Sequence, residues 1–361
     1  MNGTIRSVIT GTGSFIPGNT IANDSFLPRE FYESNGARIQ KSNREIIDKF
    51  LDITTIAERR YADDDMLTSD MATLAAQVAI EDAGIDPEEL DYVILGHNFG
   101  DIQKGTNRVD ILPALAARVK HNLGIKNPAA VAYDVIFGCP GWLQCLIQAD
   151  YYIRSGDAKK ILVIGADILS RIYDPHDRDS MIYADGAGAV IVEAVEGNAN
   201  IGIQGHASRS DTLMHSKMLF MGCSYHPEED LKDDLFLKMN GRRLYQYALE
   251  NVPTAIKQCL EKCNVPLLDI KKVLIHQANG KMDDAILKRL YQLYGVENPP
   301  EDVMPMTIER LGNSSVATLP TLLDLILKHQ LADHRLESGD TFVFASVGAG
   351  MHINAMVYRM P

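Results

Sequence analysis

Cys139 stands in Gly138-Cys139-Pro140-Gly141, between an apolar, β-branched run from Ala132 to Phe137 and a mostly apolar stretch from Trp142 to Ser155. The run predicts a buried strand, and the stretch predicts a helix that closes at Ser155-Gly156-Asp157. A thiol placed where a strand gives way to a helix meets unpaired backbone N–H groups and the positive end of the helix dipole. Both favour a thiolate. The flanking glycines keep side-chain bulk away, so a substrate can reach the sulfur. The chemistry on offer is that of a nucleophile; the competing reading is a buried core cysteine.

Three other places could complete such a site. His276 comes at the point where the apolar strand of Lys272 to Gln277 turns polar, which suits the carboxyl end of a parallel sheet, where open α/β sheets bind ligands. A satisfied structural histidine would look the same. Asn313, in Gly312-Asn313-Ser314-Ser315, is either a helix cap or a hydrogen-bond donor. Gly348-Ala349-Gly350 joins two strands, as a tight turn or as backbone N–H groups aimed at an oxyanion. Cys259 and Cys263 share a helix face with no histidine or further cysteine nearby, and read as core.

These residues need a scaffold, and the chain spells one twice. The first series has a strand, Gly138-Cys139, a helix, Ser155-Gly156-Asp157, a strand, Gly165 and a last strand. The second has Gly312-Asn313, a helix, Ser338-Gly339-Asp340, a strand, Gly348 and a last strand. In both, the glycine follows the aspartate by eight residues. The pattern predicts an internally duplicated α/β protein with mainly parallel sheets. Pseudo-symmetry would turn Cys139 and Asn313 toward one cleft.

Composition narrows the function. A length of 361 residues allows two fused halves, and 46% hydrophobic with 23% charged residues is ordinary for a soluble globular chain. A net charge of -13 argues against a general nucleic-acid binder and against an anionic membrane surface. Five cysteines at irregular spacing do not form a disulfide framework. The start, Met1 to Ile9, has no signal-peptide core and no apolar run is long enough to span a bilayer, which predicts a cytosolic protein.

Taken together and in order, the motifs resemble the β-ketoacyl-acyl carrier protein synthase III family of thiolase-like condensing enzymes, over nearly the whole length. They are Ile9-Thr10-Gly11-Thr12-Gly13-Ser14, Glu58-Arg59-Arg60, Gly138-Cys139, Asp174-Pro175-His176-Asp177-Arg178 and Asp185-Gly186-Ala187-Gly188-Ala189. His276-Gln277-Ala278-Asn279, Gly312-Asn313-Ser314-Ser315 and the terminal glycine loop follow. The resemblance implies a thiolase-like fold, two βαβαβαββ halves packed as an α-β-α-β-α sandwich. Residues 1–197 would carry the cysteine and residues 198–361 the histidine and asparagine.

It further implies an acyltransferase. Cys139 would hold an acyl group as a thioester, and the N–H groups of Cys139 and Gly350 would bind the oxyanion. His276 and Asn313 would bind the thioester oxygen of a malonyl unit as carbon dioxide leaves. Arg178 matches the family's coenzyme A arginine and Asn279 a pantetheine contact; Gly241, Leu112 and Trp142 complete the implied substrate-binding set. The partners implied are acyl carrier protein, malonyl-acyl carrier protein, an acyl-coenzyme A or carrier-bound donor, and a second copy of the chain. No metal or redox cofactor is implied.

The role implied is initiation of fatty acid synthesis. The alternative is a polyketide or specialised pathway with an unusual acyl or β-ketoacyl donor. A non-catalytic partner subunit is the third reading, although such subunits tend to lose the cysteine. Where relatives that prime from acyl-coenzyme A carry a tryptophan and an arginine, this chain has Lys49 and Ile53, so the adenine clamp is expected to be missing. The Phe99 to Asp110 loop is longer than is usual in the family.

Overall fold

Apolar strands and glycine-stopped helices alternate along the chain in the computed structural model, which describes residues 4–197, 200–227 and 234–361. The elements β1 (Thr4–Phe15), β2 (Asn19–Ala22), α1 (Asn43–Thr54) and β3 (Glu58–Tyr61) come first. Next are α2 (Thr68–Ala83), β4 (Tyr92–Gly96), α3 (Leu115–Asn122) and β5 (Val131–Val135). The helix α4 (Gly141–Ser155) leads to β6 (Lys160–Ile168) and β7 (Asp185–Gly197). The rest begins with β8 (Gly202–Ser210), α5 (Thr212–His215), β9 (Leu219–Gly222) and β10 (Phe236–Met239). It continues with α6 (Gly241–Lys262), β11 (Ile270–Ile275), α7 (Gly280–Gln292) and α8 (Ile308–Leu311). It ends with α9 (Thr318–Leu327), β12 (Thr341–Gly348) and β13 (His352–Arg359).

Two sheets carry the architecture, ordered β1-β7-β6-β4-β5 and β11-β12-β13-β8. Between them lie α4 and α9, whose Trp142, Leu143, Leu146, Leu319, Leu322 and Ile326 share one core with Val163 and Phe344 of the flanking strands. On the outer face of the first sheet, α2 and α3 bury alanine and leucine against Val93, Leu162 and Ile164. On the outer face of the second, α6 and α7 cover Val273, Val343 and Ile353. The result is the expected five-layer α-β-α-β-α sandwich of the thiolase-like fold.

Two local expectations fail. The sheets are mixed: β4–β5, β4–β6 and β11–β12 are parallel, while β1–β7, β6–β7, β12–β13 and β13–β8 are antiparallel. Each half ends in two strands that return on one another, which an α/β alternation does not announce. The strand leading to Cys139 is also not buried. It is β5, the outer edge of its sheet, with Val131 48% exposed. Its apolar run resembles a core strand, but only one neighbour pairs with it.

The matched glycines have a matched purpose. A Cβ on Gly165 of β6 would come 2.5 Å from the carbonyl oxygen of Val316, just before α9. A Cβ on Gly348 of β12 would overlap the backbone nitrogen of Cys139, just before α4. Each glycine therefore lets the helix-start loop of the opposite half press onto its strand. A cap of residues from β2, α1, β3 and the 169–183 segment closes one end of the sandwich, around Phe26, Phe31, Ile47, Phe50 and Ile172. Arg59 pins it, donating to Asn23 Oδ1 at 2.6 Å, the Ile21 carbonyl at 2.9 Å and the Met181 carbonyl at 3.1 Å.

Candidate active site

The strand-to-helix loop after β5, the end of β11, the loop before α9 and the turn after β12 all open onto one cavity of about 1620 Å³. Its wall includes Cys139, His276, Asn313 and Gly350. Four separate stretches of sequence thus meet, one from the first repeat and three from the second.

Cys139 is half-buried and lies two residues before α4. Burial pushes its thiol up to about 11, against a hydrogen bond from Ser315 that pulls it down. The expected activation by the helix start is therefore outweighed: at neutral pH the resting group is the thiol, and its proton must leave during reaction. His276 is fixed by its backbone N–H, which donates to the Ala345 carbonyl at 2.8 Å, and its Nδ1 has no hydrogen-bond partner among the described residues. Burial lowers its imidazole to about 4, so it is neutral at physiological pH and can either accept or donate a hydrogen bond. Asn313 is held by a backbone bridge to Tyr183, and its Oδ1 accepts the Ser315 N–H at 2.8 Å. With the oxygen engaged, the amide nitrogen remains as donor.

A thiol, a neutral imidazole and an oriented carboxamide around one cavity can form and discharge a covalent thioester and steady an oxygen that gains charge. Among the described residues, no group of three or more histidine, cysteine, aspartate or glutamate side chains is placed to hold a metal ion.

The substrate-binding set divides. Arg178, Asn279 and Gly241 line the same cavity. Arg178 Nη1 is 3.3 Å from Glu33 Oε1, and Asn279 caps α7 through its Oδ1, which accepts the Met282 N–H at 3.0 Å. Trp142 is not on the wall: it is 1% exposed and packs edge-on to Phe344 between the sheets. Leu112 is not on it either, being 87% exposed beside the Phe99–Asp110 loop, which a backbone bridge from Asp101 to Asp110 closes. Lys49 and Ile53 do reach the cavity, and Lys49 is paired with Asp52 at 2.9 Å.

Asn98 and Ser315 also line the cavity but carried no role from sequence. Asn98 follows β4 as Ala278-Asn279 follows β11, just beyond a strand's carboxyl end. That position was a readable signal. Ser315 adopts φ 56°, which its side chain does not advertise.

Comparison with known proteins agrees with this picture. Residues 133–212 match the family model of 3-oxoacyl-[acyl-carrier-protein] synthase III, and residues 260–360 match the model of its C-terminal part. The chain is 32% identical to a β-ketoacyl-[acyl-carrier-protein] synthase III of Brucella anthropi, across 98% of this chain and 99% of that one. The crystal structure of a synthase III from Thermus thermophilus superposes with a TM-score of 0.79 at 28% identity, covering 98% and 99% of the two chains. The priming β-ketosynthase of the R1128 polyketide biosynthetic pathway superposes with a TM-score of 0.80 at 25% identity, covering 100% and 98%.

Proposed function

The chain belongs to the β-ketoacyl-[acyl-carrier-protein] synthase III family, and from that membership we propose that it joins an acyl group to a malonyl unit by decarboxylative condensation. The observation that carries the reading is the meeting of Cys139, His276 and Asn313 on one cavity wall. In the first half-reaction the Cys139 sulfur attacks the carbonyl carbon of an acyl thioester, a new C–S bond forms and the old one breaks. The thiol proton passes by way of His276 to the departing thiolate. The backbone N–H groups of Cys139 and Gly350 hold the oxyanion.

In the second half-reaction the bond from the malonyl carboxylate breaks and carbon dioxide leaves. The electron pair moves onto the thioester oxygen, where His276 and Asn313 donate to the enolate. The enolate carbon then attacks the acyl-Cys139 carbonyl and frees the thiolate, which regains a proton. Carbon dioxide release from malonyl-acyl carrier protein that depends on prior acylation of Cys139 is the test. Acylation without such release would reduce the chain to an acyl carrier or transferase.

Initiation of fatty acid synthesis is the first pathway reading. Priming of a polyketide or specialised product is the second, favoured by the likeness to the R1128 priming enzyme.

The donor is proposed to arrive on a carrier protein. Coenzyme A brings an adenine and several phosphates, yet the rim offers Lys49 and Ile53 where stacking and charge would be needed. Arg178 is already shared with Glu33. An exposed arginine–phosphate contact is weak and screened by salt. A carrier protein docks by its own surface and sends in only the pantetheine arm. Carrier-bound donors should therefore load Cys139 at least about tenfold faster than the same acyl group on coenzyme A, a margin of about 1.4 kcal/mol. Equal loading rates, followed by mass spectrometry, would refute this.

A homodimer is also part of the proposal. Among the described residues no strand pairs with the outer edge of β5, and Val131, Ile136 and Leu112 are 48%, 61% and 87% exposed around it. Such an edge invites strand pairing with a second copy. Light scattering should give a dimer that Val131→Lys weakens; a wild-type monomer at micromolar concentration would contradict it.

A further inference from the structure

Ser315 touches both halves of the proposed machinery. Its backbone N–H donates to Asn313 Oδ1 at 2.8 Å, and its hydroxyl donates toward Cys139 Sγ at 3.5 Å. A lone pair of the same hydroxyl receives the Asn98 amide at 3.0 Å. Asn98 is itself fixed to Asp167, its backbone N–H to Oδ1 at 2.8 Å and its Nδ2 to Oδ2 at 2.7 Å. Asp167 is the next-to-last residue of β6 and is 1% exposed. A serine hydroxyl has one proton; the Asn98 amide occupies a lone pair, and the proton faces the Cys139 sulfur on one side and the Asp167 carboxylate on the other.

The backbone supports a functional origin. Ser315 holds φ 56°, a left-handed conformation that a non-glycine residue keeps only where its surroundings enforce it. The enforcing contacts are at hand, since Gly165 admits Val316 against β6 on the C-terminal side. On the N-terminal side, Asn313 is bonded to both neighbours of Tyr183, through its N–H to Ile182 and its carbonyl to Ala184.

We infer that Ser315 is a further catalytic residue of the acyl-transfer reaction proposed above, its hydroxyl donating to the Cys139 sulfur while its N–H aims Asn313, with Asn98 and Asp167 as positioning residues. The inference rests on that reading for its purpose, but its geometry is independent of the acyl donor. The charge that reaches Cys139 is that of Asp167 on β6, which opposes a thiolate; Tyr183 and His276, both kept neutral by burial, share the cavity. The Ser315 hydroxyl is then the side-chain donor that favours the anion, beside the backbone N–H of Cys139 itself.

The test is the rate at which iodoacetamide alkylates Cys139 across neutral to alkaline pH, read on the Cys139 peptide because Cys223 is exposed. Ser315→Ala should move the midpoint upward and slow alkylation about tenfold at a fixed pH below it. Ser315→Gly, which accepts the left-handed backbone and keeps the N–H, should do the same and stands in if the alanine variant folds poorly. Asn98→Ala should shift the profile in the same direction by less. A wild-type profile in the folded Ser315 variants would overturn the proposal. Alkylation uses no acyl donor, so its outcome is separate from success or failure of the condensation assay.

Discussion

Cys139→Ala should abolish covalent acyl loading, with no adduct above background after incubation with a donor that labels the wild type. The expectation follows from where the cysteines lie. Cys145 and Cys259 are buried, and burial pushes the Cys145 thiol well above its ordinary range. Cys139 is the cysteine on the cavity wall, at a loop pressed against Gly348. Its own thiol is also raised by burial, so the nucleophile forms as the proton is removed rather than standing ready as a thiolate. Cys145→Ala should load normally. Retained loading in Cys139→Ala would remove the nucleophile from the account.

His276→Ala and Asn313→Ala should separate the two half-reactions. Each removes one donor to the enolate oxygen, which typically costs about 3 kcal/mol of barrier, or a hundredfold or more in rate. Decarboxylation of malonyl-acyl carrier protein should fall by that factor, while some loading of Cys139 persists. The wild-type rate should also show no acid limb from His276 until the pH approaches about 4, because burial keeps the imidazole neutral down to there. Wild-type decarboxylation in either variant would show that its side chain is not a donor to that oxygen.

The duplicated α/β alternation was legible because apolar runs, helix stops and the repeated glycine spacing all depend on local sequence, whereas the five-layer packing followed from the family resemblance. The meeting of Cys139 with Asn313 was legible for the same reason, through pseudo-symmetry. What sequence missed depends on neighbours. The run before Cys139 looks the same at a sheet edge as at its centre, and only the strand order distinguishes them. In the second repeat, no named strand corresponds to β5; the 302–306 segment lies there, with the Val273 N–H bonded to the Val303 carbonyl at 2.8 Å. The resemblance places Trp142 in the substrate-binding set, but it enters the helix a turn after Cys139 and faces the core between the sheets. Ser315 and Asn98 make contacts to Cys139 and Asp167 that are distant in sequence, and their types alone suggest only capping or turns.

The central claim is that Cys139 carries the acyl group and yields it to a malonyl-derived carbanion. Intact-protein and peptide mass spectrometry of the enzyme, first with a carrier-bound acyl donor and then with malonyl-acyl carrier protein, measures this directly. The account predicts one acyl group on the Cys139 peptide, which disappears when malonyl-acyl carrier protein is added, with one carbon dioxide and one β-ketoacyl carrier formed for each acyl group lost. An adduct on Cys145, or one on Cys139 that the malonyl carrier does not discharge, would contradict it.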